Sequence, residues 1–431
     1  MQTLFVITTL VMAFVLLVKS ITGHRLLTLP NIVFVTTVVN FILYLCGWSA
    51  NFFVPCSDST YLIIIVVEIA FTIYAFAPMP ETYNGSITFK RITAGHYSIR
   101  TTTLFLLLSL LLTVVENIYL NGSLIAIDSS SHTDAMPLVG PINRALMPIV
   151  YSIVFIELAD HKGSKTEAVL LPVHMAYSVI GARGRFWFVI SACCALMVLT
   201  AYKRGTLSRI QMRYKLPIAV AIIVLFIVMF NFGVERMTAP YSTYIAYTGP
   251  FKDTELASWY YGYFPYSFYN LDLTIRFIDG MNISTHGAFF VLPFLSVLQL
   301  DGLSGIDYTT MTKSISVVTN TAANVTTGYY EMYADFGKLF FVTVLVYLAI
   351  TAFFEKRSTF ASLISSRYMW TVWGAMSFLN VFTVGVPIYV FVLSWLLDVF
   401  IVERNHEGAR NLKNDIRTIS EAERVRPHVL G

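Results

Sequence analysis

Charge is what this chain has least of. Only 13% of its 431 residues are Asp, Glu, Lys or Arg, against 56% hydrophobic residues and a mean hydropathy of +0.67. That balance excludes an ordinary soluble domain. Cysteine is scarce too. Cys46, Cys56, Cys193 and Cys194 have neither a disulfide framework nor the spacing of a metal site. Three of them fall within apolar runs, and Cys56 is expected on the outer face. The first eighteen residues lack a basic leader and a small-residue cleavage site, so a retained helix is expected rather than a signal peptide. No internal repeat is evident, nor a matched pair of Gly/Pro-broken helices of the inverted-repeat transporter kind. The net charge of +4 is small and gathers in short connections, so it calls for no nucleic-acid partner.

What the chain does have is a series of apolar runs approaching or reaching the ~20 residues that cross a bilayer as helix. Spans are expected near 1–18, 31–53, 61–78, 103–120, 145–159, 169–181, 186–201, 216–232, 337–354, 362–383 and 386–402. The fold class is therefore all-α and integral to a membrane, with about eleven spans. Basic connections set the orientation. Lys203, Arg204, Arg209, Arg213 and Lys215 mark one cytoplasmic loop; Lys90/Arg91/Arg100, Glu355-Lys-Arg357 with Arg367, and Lys19 with Arg25 mark others. Alternation then places the N-terminus outside and the C-terminus inside. The division is a bundle over 1–232, a large outer loop over 233–336, closing spans over 337–402 and a cytoplasmic tail over 403–431. The outer loop carries four basic and nine acidic residues, the opposite bias from the cytoplasmic connections. The second outer connection, 121–144, is expected to be ordered but irregular.

The large loop holds the densest chemistry. Ser258–Asn270 packs eight aromatic residues into thirteen positions. Tyr and Trp gather at membrane interfaces for solvation reasons alone, yet this density also suits a sugar, with its C–H faces and many hydroxyls. Thr285–Gln299 is apolar, short and broken by Pro293, as in a re-entrant or interfacial helix. At its mouth stands His286, the loop's only histidine. It reads either as a structural residue or as a general base. Asp272 and Arg276 are four residues apart, so they can pair on one helix face or leave the arginine for a ligand. Asp335 can cap the helix that follows it, or take a proton from a hydroxyl. Arg183 and Arg185 sit in a tight turn, Gly181-Ala-Arg-Gly-Arg185. Arginines there either snorkel or clamp an anion through the two-pronged geometry of guanidinium; at membrane depth each costs about 2.5–3.5 kcal/mol on insertion scales. Within the bundle, Glu68, Glu116, Glu157, His174 and Asp398 lie in or at the ends of spans. They raise a proton-path reading but form no regular ladder along the sequence.

Taken in order, the motifs resemble a known family. Gly181–Arg185 precedes a basic cytoplasmic loop, and Arg236 stands just past a helix end. The Tyr-rich stretch runs through Asn270-Leu-Asp272, Asn324–Gly337 closes the loop with Tyr-Ala-Asp-Phe-Gly, and Ser377-Phe-Leu-Asn380 follows. This pattern, over roughly 170–402, resembles the bacterial oligosaccharide repeat-unit polymerases, the Wzy-type O-antigen polymerases. O-antigen ligases share the GT-C-like architecture of many spans and one large periplasmic loop. The first half matches in hydropathy alone.

The resemblance implies glycosyl transfer at the periplasmic face of the bacterial inner membrane. A glycan would leave undecaprenyl diphosphate for a hydroxyl on the next lipid-linked repeat unit. It implies Arg183, Arg236 and Arg276, with Arg185, around the departing diphosphate. His286 or Asp335 would be the base, and Trp259, Tyr260, Tyr263, Tyr266, Asp272 and Tyr330 would hold the sugar. No metal or cofactor is expected. Partners would be the lipid-linked oligosaccharides, the bilayer and a chain-length regulator. A ligase, another lipid-linked-sugar transferase and a flippase-type transporter are the competing classes.

Overall fold

The computed structural model describes residues 1–23, 27–77, 88–94, 97–122, 136, 138–160, 163–180, 184–202, 246–298, 300, 308–317, 326–357, 359–377, 380–400 and 402–403. Helices dominate them. In chain order they are α1 Gln2–Gly23, α2 Leu29–Val33, a π-helical turn Phe34–Val39, α3 Asn40–Leu45, α4 Asp58–Tyr74, α5 Thr101–Asn121, α6 Val139–Ala159, α7 Lys165–Ile180 and α8 Gly184–Tyr202. After the undescribed 203–245 come α9 Glu255–Tyr263, α10 Pro265–Met281, α11 Ala288–Val297, α12 Tyr308–Ile315, α13 Tyr329–Phe336, α14 Phe341–Glu355, α15 Phe360–Ala375 and α16 Val386–Phe400. Ten of the expected spans contain helix, though within 31–53 it ends at Leu45, and 216–232 lies outside the described residues. Among the described residues three helices are long and apolar enough to cross a membrane, Gln2–Gly23, Thr101–Tyr119 within α5 and Val139–Leu158 within α6, or four if the bent pair Tyr329–Leu339 and Phe341–Glu355 is one span. The helices of α13 and α14 meet at 118°.

The centre of the bundle is α15. It packs on α2, α8, α14 and α16 and is buried on all sides. Ser362, Ser365, Ser366 and Gly374 keep its profile narrow, and small side chains let helix axes approach closely. The helix over the expected span 362–383 is shorter than that run. The α-helix ends at Ala375, and Asn380 then caps a separate short 3-10 turn, Val381–Val384. Arg367 belongs to α15 and not to the connection before it. It is buried, 3.8 Å from the Glu355 carboxylate and 3.8 Å over the Trp370 ring. Arg367 is therefore not a loop cation. Likewise α6 begins six residues before the expected span, so Asn143 and Arg144 are helical.

Contacts at the helix ends sort the connections into two groups. At one end, Ser49 bridges Tyr247, Ala50 N–H donates to Ala246 at 3.1 Å, and the N-terminal amine lies 3.8 Å from Asp58. At the other end, Tyr74 donates to Glu355, Phe89 meets Phe360, and β1 (Thr88–Phe89) pairs antiparallel with β4 (Val402–Glu403). Next to β1, β2 (Arg91–Ala94) and β3 (Tyr97–Arg100) form a second antiparallel pair, strands that the sequence reading did not anticipate. A carboxylate buried inside the bundle needs donors to offset its desolvation. Glu68 on α4 accepts from Thr8 and Thr9 on α1 and so fastens the first helix.

Gly328, just before α13, is a tight packing point. Its N–H donates to Met376 O at 2.9 Å, and a Cβ there would stand 2.7 Å from the Asn380 backbone. Gly328→Ala is expected to cost about 1–3 kcal/mol through overpacking. The check is a melting curve in detergent. An unchanged midpoint would mean that the two segments can part without loss.

Candidate functional site

The elements at the first end of the bundle converge around α10. Its N-terminus falls within the aromatic run, with Pro265 in the first turn, where a missing N–H is harmless. Asp272, Arg276 and Asp279 recur at helical spacing along it, and each reaches another element. The Asp272 carboxylate is fully buried. It accepts from Ser57 N–H and the Thr60 hydroxyl, both at 2.8 Å, and from Arg276 Nε at 2.8 Å. Ser57 is the N-cap of α4, so one carboxylate ties α10 to the start of that helix. Arg276 also donates to Pro55 O, and its side chain keeps 38% exposure. The hydrogen bond from Arg276 to Asp272 raises the guanidinium above its ordinary value, so its charge is permanent. Cys56, expected on the outer face, is half-buried beside this pair; burial, with Asp272 nearby, pushes its thiol well up. Cys46, expected within a span, is exposed past the end of α3.

Asp279 continues the face. It accepts from Ser59 and from the Tyr333 hydroxyl, both at 2.8 Å, and so joins α10 to α13. Two residues earlier on α13, Glu331 is buried and accepts from Asn380 Nδ2 at 2.7 Å. Ser267 at the start of α10 donates to Ser377 O at 2.7 Å. The closing segment of the loop and Ser377–Asn380, about fifty residues apart in sequence, are thus neighbours in space.

Asp335 caps a helix, though not the one after it. Its Oδ1 accepts from Phe289 N–H at 3.1 Å and from the Thr285 hydroxyl; its Oδ2 accepts from Phe290 N–H at 2.8 Å. These N–H groups open α11, the apolar helix with Pro293, whose first turn would otherwise leave its donors unmet. Thr285 N–H adds a bond to Ala334 O at 2.9 Å. The reason for the different partner is geometric. The chain turns sharply at Gly337, which has φ +55°, and so presents Asp335 to the preceding helix. Burial pushes the Asp335 carboxyl up, and the three donors pull against that.

His286 stands in the turn so fastened. It is exposed, has φ +50°, and its Nδ1 lies 3.2 Å from the Ser284 hydroxyl. A non-glycine residue in left-handed backbone is held there by its surroundings. The Thr285–Asp335 and Ser284 contacts supply that hold.

The aromatic run divides in two. Tyr261, Tyr266, Phe268 and Tyr269 are buried; Tyr266 packs on Phe52 and Tyr269, at 5.4 and 5.6 Å between centroids. Trp259 and Tyr263 are half-buried against one another at 5.3 Å, and Tyr260 is exposed, its hydroxyl donating to Asn40 Oδ1 at 2.7 Å. Tyr330 is buried with its ring 6.2 Å from Phe289. Tyr266 and Tyr330 are therefore core side chains, and the faces open to a sugar are Trp259, Tyr260 and Tyr263. Arg183 and Arg236 lie outside the described residues. Arg185 falls in the first turn of α8, with its side chain outside the described ones.

Sequence reasoning missed the contribution of the first half. The π-helical turn Phe34–Val39 breaks the α2–α3 register and precedes Asn40. Thr37 lies 3.0 Å from the Tyr329 hydroxyl, and Asn40 meets Tyr260. Such turns often mark functional positions, but their signal is not in the hydropathy. Among the described residues no group of three or more His, Cys, Asp or Glu is placed to hold a metal ion.

Asp335→Ala is expected to release the α11 first turn at a cost of about 0.5–2 kcal/mol, the usual worth of a capping side chain. Hydrogen exchange should then quicken at Phe289 and Phe290 and not in α15. Protection unchanged at both amides would show that the cap is dispensable. Comparison of the chain with protein-family models, with curated proteins and with solved structures gave no match.

Proposed function

We propose that the chain is a membrane-embedded glycosyltransferase that polymerises undecaprenyl-diphosphate-linked oligosaccharide repeat units, of the O-antigen or a related surface polysaccharide. It would sit with about eleven spans in the bacterial inner membrane, its 233–336 segment facing the periplasm. One observation carries the proposal. Three of the segments on which the family resemblance rests, far apart in sequence, meet at one end of the bundle through Glu331–Asn380 and Ser267–Ser377. The charge of the two ends agrees with the orientation. Lys90, Arg100, Lys356 and Arg357 belong to the end opposite the acidic α10–α13 cluster, as the positive-inside tendency requires.

In this reading the bond between the donor sugar's anomeric carbon and the diphosphate oxygen breaks. A bond from that carbon to an acceptor hydroxyl oxygen forms, and the hydroxyl proton passes to a base. Arg276, with Arg183, Arg185 and Arg236, stabilises the charge developing on the diphosphate. Asp335 has its oxygens engaged by three donors, so the proton falls to His286, and Asp335 acts as the positioning residue. Trp259, Tyr260 and Tyr263 hold sugar faces at the rim. Undecaprenyl diphosphate leaves, and the polymer remains on the acceptor lipid.

A strain lacking the gene should carry a single repeat unit on its surface acceptor, and restoring the gene should restore the polymer ladder. Loss of all glycan from the acceptor, with lipid-linked polymer accumulating, would point to a ligase instead; an unchanged ladder would point to transport. His286→Asn keeps a residue tolerant of left-handed backbone. It should leave protein level and melting unchanged while abolishing extension. A full ladder in that variant would remove His286 from the mechanism. Arg276→Lys keeps a charge beside Asp272 but not the two-pronged grip. Only short polymers are expected from it, and wild-type lengths would reduce the arginine's role to simple charge.

A further inference from the structure

A second buried polar system lies away from this site, among α5, α6 and α7, which pack on one another. On α5 the interior face carries Thr102, Thr103, Ser109, Thr113, Glu116 and Asn117, at helical spacing and all buried, while Leu104, Leu107, Leu108 and Leu111 face outward. At its middle His174 of α7 is fully buried. Its Nε2 lies 3.0 Å from the Ser109 hydroxyl and 3.5 Å from that of Thr113; its Nδ1 lies 2.7 Å from the Tyr151 hydroxyl of α6 and 3.4 Å from Ser178. Asn143 of α6 closes the set, accepting from Ser109 at 3.1 Å and donating to Thr113 at 3.0 Å. The neighbouring α8 offers Phe188, whose ring stands 6.4 Å from Tyr151.

Charged groups flank the set at both ends of the same three helices. One turn beyond Thr113, Glu116 pairs with Arg144 at 3.0 Å. At the opposite end Arg100 lies 3.9 Å from Glu157 and 3.7 Å from Glu167, and Glu167 accepts from Thr102 and Thr103 at 2.5 and 2.8 Å. Arg100 Nη1 and Glu157 Oε2 there are buried without a hydrogen bond. From Thr102 to Glu116 is about 21 Å of helix rise, much of a bilayer's hydrocarbon. Along the three helices, Leu106, Val154 and Leu171 come between the Arg100–Glu157–Glu167 group and His174, and all three are buried in one apolar cluster.

We propose that α5, α6 and α7 form a proton path across the bundle, with His174 as its carrier and the Leu106–Val154–Leu171 layer as its narrowest point. Each hydroxyl and the imidazole both donate and accept, so a proton passes along them without net chemistry. A proton taken at one ring nitrogen gives imidazolium, the proton on the other nitrogen departs, and the ring returns to neutral in the other tautomer. Helix–helix glue accounts for isolated pairs. It does not require a histidine bonded at both nitrogens to be set between two charged groups. Ionisable residues at membrane depth are expensive and are associated with transport of charge.

The test uses the full chain in phosphatidylethanolamine–phosphatidylglycerol vesicles enclosing a pH-sensitive dye. A potassium gradient with valinomycin drives protons inward. Vesicles with the protein should acidify severalfold faster than empty ones. His174→Gln, still able to hydrogen bond, should fall to the empty-vesicle rate with its melting midpoint retained. Leu171→Ser should run faster than wild type. Wild-type flux equal to that of empty vesicles overturns the proposal, and so does undiminished flux in folded His174→Gln. Where His174→Gln fails to fold, Leu171→Ser decides: faster flux supports the path, and unchanged flux overturns it.

Discussion

The Asp272 carboxylate is the fixed point from which the rest of the α10 end of the bundle is arranged. It is fully buried, and its oxygens are taken by the start of α4, by Thr60 and by Arg276. A buried anion without such donors would cost several kcal/mol. With them it sets the rotation of α10, and that rotation aims Asp279 at Tyr333. It also holds Arg276 part-exposed with its charge intact. Position, charge and exposure of the candidate cation follow from one buried side chain.

A second constraint acts on the apolar helix α11. Ten residues interrupted by Pro293 would not hold a first turn on propensity alone. The Asp335 cap supplies what the local sequence lacks, and it does so across some forty-five residues of chain. The consequence is chemical as well as structural. The same contacts that start the helix hold His286 in left-handed backbone, exposed beside an occupied carboxylate. Rigidity in that turn favours a proton acceptor whose direction is set before any ligand arrives.

The helices of the bundle were legible where an apolar run marks them, whereas α9, α10, α12 and α13 of the 233–336 segment carry no such run and were not. Asp272 and Arg276 were legible as a pair because four-residue spacing is local information. Asp335 was legible as a cap in kind but not in partner, since the turn at Gly337 chooses the helix it faces. Arg367 was misplaced because its charge weighs against burial in any one-dimensional reading, and only Glu355 and Trp370 reveal how it is accommodated. Of the His174 network the sequence showed the ionisable members, His174, Glu116 and Glu157, but not their connection. Its members come one or two at a time from three helices, and the ladder exists only where they pack. The π-helical turn was hidden for a related reason, its apolar composition being that of any α-helix.

The claim that the α10 end of the bundle transfers glycan from a lipid diphosphate is most directly tested with purified protein and a lipid-diphosphate-linked repeat unit in detergent or vesicles. Chain extension and release of undecaprenyl diphosphate should rise together, one carrier freed for each repeat joined. Extension without carrier release, or no product from intact protein with accepted lipid-linked repeat units, would contradict the account.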